Sequence, residues 1–258
     1  MDPAIADPAI AALEAAAAAH WQAGETAALG GWQLRAAGGF TGRANSALPL
    51  GDPGLPPDAA AGQVTRWYAV RRLPPMIVVP GPLAGPAGPL DALLAARGWT
   101  IRADPALVLT APTVALAALP GAAQAELAAE PDEDWLALYR YRGRPLPAIA
   151  RELLLSAPWQ AFGSVRRGGA TVAVGRVSVA AGWAGITAVE VSPGSRRAGL
   201  GTAVTAALAA AAAARGAARL FLQVAEGNAA ARALYHRCGL RPAHRYHYRV
   251  APGAAAAR

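Results

Sequence analysis

The stretch from Glu190 to Leu240 limits what this 258-residue chain can fold into more than any other. It reads E-V-S-P-G-S-R-R-A-G-L-G-T, then an Ala-rich run, then L-F-L-Q-V, then N-A-A-A-R-A-L-Y-H-R-C-G-L. The pattern predicts strand, Gly-rich turn, helix, strand, helix. Pro193 stops the first strand from continuing in a ladder. Gly199 and Gly201 let the backbone approach a ligand with no Cβ in the way. The helix that starts there offers unpaired N–H groups and the positive end of its dipole, and Arg196 and Arg197 add planar donors. Such a turn cradles a phosphate. It is not a P-loop, because no Gly-Lys-Ser/Thr follows, and it lacks the G-x-G-x-x-G spacing of a dinucleotide fold.

The rest of the chain reads as alternating elements. Helices are expected near residues 3–19, 58–72, 90–97, 132–141, 145–155, 199–215 and 228–237. Strands are expected near residues 31–36, 43–50, 76–79, 99–102, 107–110, 160–166, 170–179, 185–191, 220–224 and 241–250, with a tight turn at Gly168-Gly169. The segment Leu119–Pro131 has little periodicity and marks a domain boundary, which gives an N-terminal domain over residues 1–125 and a C-terminal domain over 126–258. The fold class is α/β with a mixed sheet. An internal echo aligns A-L-L-A-A-R-G-W at Ala92–Trp99 with A-L-Y-H-R-C-G-L at Ala233–Leu240. The two halves would then share one fold, with Leu94 standing where Tyr235 stands; chance likeness of two helix ends is the competing reading.

Bulk properties narrow the function. Hydrophobic residues make up 54% of the chain, much of it Ala, and a sizeable core is within reach. Cys238 is the only cysteine, which excludes an internal disulfide and a multi-Cys zinc site, and no cluster of metal ligands is expected. The N-terminus lacks a basic leader and the longest apolar run, Thr202–Ala214, is too short for a bilayer, so a cytoplasmic, non-membrane protein is expected. The net charge is +8 and every basic side chain is Arg. The arginines are scattered and no nucleic-acid-binding motif accompanies them, so nucleic acid is not an expected partner.

The pattern V-x-P-x-x-R-R-x-G-L-G-T resembles the acetyl-CoA-binding motif of the GNAT superfamily of N-acetyltransferases. Asn228, Ala231, Leu234, Tyr235 and Gly239 resemble that superfamily's second motif, N-x-x-A-x-x-L-Y-x-x-x-G-[FL]. The resemblance implies a GNAT fold in the C-terminal half and a degenerate copy in the N-terminal half. It implies that acetyl-CoA lies between two splayed strands, held by Val189, Val191, Arg196, Arg197, Ala198, Gly199, Gly201, Thr202, Asn228 and Tyr235. It also implies Tyr235 as the acid that protonates the departing thiolate. Asn228 also reads as an N-cap.

Transfer to an amine further needs a base and a stabilised oxyanion. Glu190, the only carboxylate on its strand, is the candidate base, with Glu226 in reserve or water as the relay. The whole chain resembles two-part actinobacterial GNAT proteins named as N-acetylglutamate synthases, which implies a small-molecule amine acceptor, L-glutamate first. Arg35 and Arg43 could hold a carboxylate as forks, and His247 could face the acceptor; each also reads as a structural residue. A homodimer is compatible with all of this. The competing readings are a CoA sensor without turnover, and an acetyltransferase for a protein N-terminus or an antibiotic amine.

Overall fold

A computed structural model describes residues 7–103, 105–141 and 143–254. In chain order the elements are α1 (Pro8–Ala18), β1 (Glu25–Leu29), β2 (Trp32–Ala36), β3 (Leu48–Pro49), α2 (Pro57–Val70), β4 (Met76–Gly81), α3 (Pro89–Ala96), β5 (Thr100–Ile101), β6 (Ala106–Pro112) and α4 (Thr113–Ala117). A 3-10 turn (Ala122–Gln124) leads to β7 (Glu126–Ala128), α5 (Glu133–Leu138), α6 (Ala150–Leu154), β8 (Trp159–Arg167), β9 (Ala170–Ala180) and β10 (Trp183–Val191). The chain ends with α7 (Leu200–Ala214), β11 (Arg219–Ala225), α8 (Ala229–Arg237) and β12 (Arg241–Val250).

Contacts divide these elements into two compact units: residues 7–108, 225–227 and 242–254, and residues 109–224 and 228–241. The division lies at Val108/Leu109, ahead of the aperiodic segment that the sequence suggested. The reason is packing: α4 and the 3-10 turn lie on α7, and β7 pairs with β8. Most of β12 goes with the first unit, because it pairs antiparallel with β4 and β5.

In the first unit β1, β2 and β3 form an antiparallel sheet, and a parallel bridge joins Ala47, just before β3, to Ile77 of β4. The core gathers Trp32, Leu34, Val64, Tyr68, Ile77, Leu94 and Trp99. In the second unit β7, β8, β9 and β10 are antiparallel neighbours, and β10 pairs parallel with β11. Two antiparallel hairpins followed by a parallel neighbour thus occur in both units. The echo also has a shared geometry. Trp99 N–H bonds the carbonyl of Leu94 at 2.9 Å and Leu240 N–H bonds that of Tyr235 at 3.0 Å, with Gly98 (φ +77°) and Gly239 (φ +92°) making the left-handed turn.

The Ala-rich composition of α7 has a direct use. Its buried residues include Leu200, Gly201, every position from Ala203 to Ala209, and Ala212. Small side chains let the helix lie close on β8, β9 and β10. At the points of closest approach the strands carry glycine: a Cβ on Gly175 would meet Val204 Cγ1 at 2.7 Å, and one on Gly163 would meet Leu208 Cδ2 at 3.3 Å. The α7 face of the sheet is therefore tight and apolar. The opposite face carries α5 and α6: Trp135 meets Phe162 edge-to-face at 5.2 Å, and the Leu154 carbonyl accepts from Arg176.

Candidate active site

The site grows from the way β10 leaves β11. Their parallel pairing runs from Trp183↔Arg219 to Ile186↔Leu222 and stops. On the other side β10 stays with β9, but the register slips between Thr187↔Arg176 and Glu190↔Val174, so β10 holds one extra residue. Ala188 takes up the slip in a left-handed conformation, φ +57°. A bulge of this kind bends and twists its strand. Beyond Ile186 the edge of β10 toward β11 thus has no ladder partner there, and its N–H and C=O groups line the gap. Val189 and Val191 lie on this bent segment.

The strand delivers the chain to the phosphate turn. Arg197 (φ +62°) and Gly199 (φ +77°) are both left-handed, an alternation that turns successive N–H groups toward one concavity. Gly199 is the N-cap of α7 and no side chain caps the helix, so the first-turn N–H groups, including those of Gly201 and Thr202, are left for a ligand. Arg197, Ala198 and Gly199 are exposed at this concavity. Arg196 instead folds back: its Nε donates to the Val191 carbonyl at 3.3 Å and its Nη2 to Glu190 at 3.5 Å.

Glu190 and Val189 point to opposite faces. Val189 lies beside Gly175 on the α7 side. Glu190 stands opposite Val174, two residues from Arg176, and shares the α5 and α6 face. It is half-buried, and burial raises its pKa above the ordinary carboxylate value, with Arg196 pulling in the other direction.

Helix α8 brings the phenol. Asn228 caps it by accepting from Ala231 N–H at 3.0 Å. Tyr235 is buried at 8% exposure, and its hydroxyl has no hydrogen-bonding partner among the described residues. Burial is the main cause that raises its pKa, reinforced by Cys238, Glu190 and Tyr139, so the proton stays on the phenol. Tyr235 and Glu190 are thus within electrostatic reach of each other, and Tyr139, at the end of α5, is with them. Cys238 sits behind the turn with Sγ 3.9 Å from Thr202 Oγ1, buried and with its thiol pKa raised by that burial.

The remaining sequence candidates lie in the first unit, engaged with their own neighbours. Arg35 is 6% exposed, and its Nε and Nη2 donate to the carbonyl and hydroxyl of Ser46, both at 3.1 Å. That geometry is an internal strut, not an open fork. Arg43 stacks over Trp21 at 4.8 Å. His247 Nε2 lies 2.7 Å from Asp91 Oδ1, the same oxygen that accepts from Arg249. Glu226 falls in the first unit, where its N–H bonds the Pro105 carbonyl. Two site features escaped the sequence. The left-handed Ala188 carries no signal, since alanine is not a residue that favours φ > 0. Arg176 does: it is a lone charge in the apolar run A-V-G-R-V-S-V.

The chain is similar to known proteins over most of its length. The family model described as "Probable histone acetyltransferase Rv0428c C-terminal" matches residues 8–249. The protein named probable histone acetyltransferase Rv0428c of Mycobacterium tuberculosis is 34% identical over 263 residues, 94% of this chain and 76% of that protein. The uncharacterized N-acetyltransferase YobR of Bacillus subtilis is 29% identical over 245 residues, 92% of this chain and 97% of that one. Among solved structures, a GCN5-related N-acetyltransferase from Kribbella flavida superposes with a TM-score of 0.67 at 20% identity, over 95% of this chain and 96% of that chain. The chain belongs to the Rv0428c C-terminal family of acetyltransferases, and its fold is that of the GCN5-related N-acetyltransferases.

Proposed function

We propose that this protein moves the acetyl group of acetyl-CoA directly to the amine of a small molecule, with no acyl-enzyme. The observation that carries the reading is the pairing, within one unit, of the uncapped α7 turn with a buried, protonated Tyr235 and a half-buried Glu190. The residues present fit the cofactor: an open concavity of N–H groups suits a pyrophosphate, and the unpaired edge of β10 suits the amide groups of a pantetheine arm. When bound, acetyl-CoA supplies the activated thioester. Arg197, Ala198, Gly199, Gly201 and Thr202 hold its phosphates, with Asn228 at the start of α8. Val189 and Val191 orient its arm.

Glu190 takes the proton from the acceptor ammonium, directly or through water. A pKa raised toward neutrality makes it a better match for that task than a solvated carboxylate. Arg196 keeps Glu190 on the strand and favours its ionised form. Tyr235 gives its proton to the departing sulfur. Free Cys238 is not used, because burial holds it as a thiol.

L-glutamate is the first acceptor to test, on the resemblance to proteins named for that substrate. The name of the mycobacterial relative favours a second reading, a protein amine. Thiol release from acetyl-CoA, measured against amino acids, polyamines, aminoglycosides and histone-like peptides, separates the two. Absence of amine-dependent release across the panel would count against both, and tight CoA binding without release would favour a sensor.

A further inference from the structure

The first unit has a strand edge that nothing in the described chain covers. β1 pairs with β2 from Glu25↔Ala36 to Leu29↔Trp32, and no described strand pairs on its other side. Tyr68 shows which groups face out. Its hydroxyl accepts from Arg35 N–H at 3.3 Å and donates to the Arg35 carbonyl at 2.8 Å, so Arg35 turns its main-chain groups away from β1. Thr26, directly opposite, therefore turns its own away from β2, and by alternation so does Ala28. These two residues offer two N–H and two C=O groups with no partner among the described residues. The edge also lacks the usual guards. E-T-A-A-L has no Pro, no Lys and no bulge, and Glu25 is held by Arg71, whose Nε lies 2.9 Å from Oε2.

Helix α2 leaves a matching flank open. Ala60, Ala61, Val64 and Tyr68 face the core. On one side of that stripe Asp58 meets Arg97, just after α3, at 2.8 Å. Gln63, Trp67 and Val70, spaced by four and three, form the other side. Trp67, Ala27 and Leu29 border the same core, and Arg71 stacks over Trp67 at 3.6 Å while it holds Glu25, so this flank lies on the β1 side. Val70 is 83% exposed, more than any other large hydrophobic side chain among the described residues. On the other face of the sheet a groove of about 360 Å³ opens beside Thr26, Ala28 and Gln33.

We infer that a second copy of this chain docks here, β1 against β1 in antiparallel register about a two-fold axis at Ala27. The edge is self-complementary in that register. Thr26 pairs with the partner's Ala28 in both directions, which closes four main-chain hydrogen bonds. At the axis the two Ala27 residues form a close, non-bonded pair, Cα to Cα about 4.5 Å, and alanine fits there. Charge agrees. Arg71 and exposed Arg72 stand at the Glu25 end, exposed Asp52 stands at the Gly30-Gly31 turn, and antiparallel pairing brings unlike ends together. Strands lie about 4.8 Å apart, so α2, seated over β1 and β2, would stand about 10 Å from its copy, a packing distance for two helices. Val70 then packs on the partner's Gln63 and Trp67. About 17 Å of strand edge and about 21 Å of helix flank give roughly 400 Å² per copy, at the low end for specific interfaces. The dimer is accordingly weak and reversible, with a micromolar dissociation constant.

Sedimentation velocity of the full chain over a concentration series reads the dimer, and the wild type should pass from monomer to dimer through the micromolar range. Ala28→Pro removes an N–H that faces out and none that β2 uses, so the fold should persist by circular dichroism and the dimer should weaken at least tenfold. Val70→Glu alters a side chain already in water and should weaken the dimer by a similar factor, which decides the matter where the proline variant does not fold. Ala27→Cys brings two sulfurs together at the axis within disulfide reach, and mild oxidation should give a cross-linked dimer. Thr26→Cys meets its own copy only diagonally, about 7–8 Å away, and should cross-link far more slowly although it is more exposed. The native Cys238 is buried and adds no background. A chain that stays monomeric throughout, a dimer untouched by both Ala28→Pro and Val70→Glu, or Thr26→Cys cross-linking as fast as Ala27→Cys each overturns the inference.

Discussion

A Cβ placed on Gly201 would lie 2.9 Å from Cδ2 of Leu234, so the first turn of α7 and the helix bearing Tyr235 touch at a position where an added methyl must displace the Leu234 side chain. The two GNAT motifs, 33 residues apart at these positions, are one packing unit. Gly201→Ala should push α8 away from α7. Overpacking of this kind costs about 1–3 kcal/mol, to be read from urea denaturation. Acetyl transfer should fall more than CoA affinity does, because the phenol moves and the N–H concavity stays. Gly199→Ala is the contrast: nothing lies within 4 Å of its Cβ, but its φ of +77° costs a side chain about 1–2 kcal/mol, and here CoA affinity should fall first.

Tyr235 gives a cleaner separation of chemistry from stability. Its hydroxyl bonds to no described residue, so Tyr235→Phe removes no hydrogen bond from the fold. The midpoint of thermal unfolding should be unchanged or slightly raised. General acid catalysis is worth about a hundredfold or more, so amine-dependent thiol release should fall by at least that factor with CoA affinity intact. Equal turnover by the phenylalanine variant would remove Tyr235 as the acid.

Asn228→Ala tests the cap. The side chain accepts from Ala231 N–H, and loss of such a cap costs about 1 kcal/mol. Asn228→Asp keeps the acceptor and should retain stability. If the side chain also meets the cofactor, the aspartate variant should lose CoA affinity while keeping the cap, a split that calorimetry and denaturation together resolve.

Much of the second unit was legible in the chain because its signals are local. Gly168 and Gly169 are both left-handed, as a two-residue hairpin turn requires, and β8 and β9 flank them as the alternation predicts. Gly216 and Gly239 end α7 and α8, and Pro193 ends β10, each by a mechanism readable from the residue itself. The misses are of two kinds. Short elements such as β7 and α4 exist through their partners and have too few residues to show a period: β7 pairs with β8, and α4 packs on α7. The site's key bend lies at Ala188, and nothing in an alanine announces a left-handed bulge; the register between β9 and β10 imposes it. Arg35 shows the converse error. It read as a fork for a carboxylate, whereas it is buried on β2 and donates to Ser46, beside a loop that Asn45 draws inward by accepting from Ala37 and Gly39 and donating to Phe40 and Thr41.

Glu190 links the pH dependence of catalysis to that of stability with opposite signs. Burial raises its pKa in the folded protein, so the fold prefers the protonated form. Its contribution to stability is therefore fully present below the unfolded value, about 4.3, and is lost as pH rises through the folded value. Catalysis needs the ionised base, so kcat/KM should fall on the acid side with a midpoint above that of an ordinary carboxylate. Glu190→Gln should abolish that acid limb and lower the rate at neutral pH, while leaving the protein at least as stable as the wild type at pH 8 and showing no gain at pH 4. Arg196→Gln removes the group that opposes the shift, 3.5 Å away, and should move the acid limb upward. An acid limb that persists in Glu190→Gln would assign the base to another group, and an Arg196→Gln limb displaced downward would contradict the electrostatic relation between the two side chains.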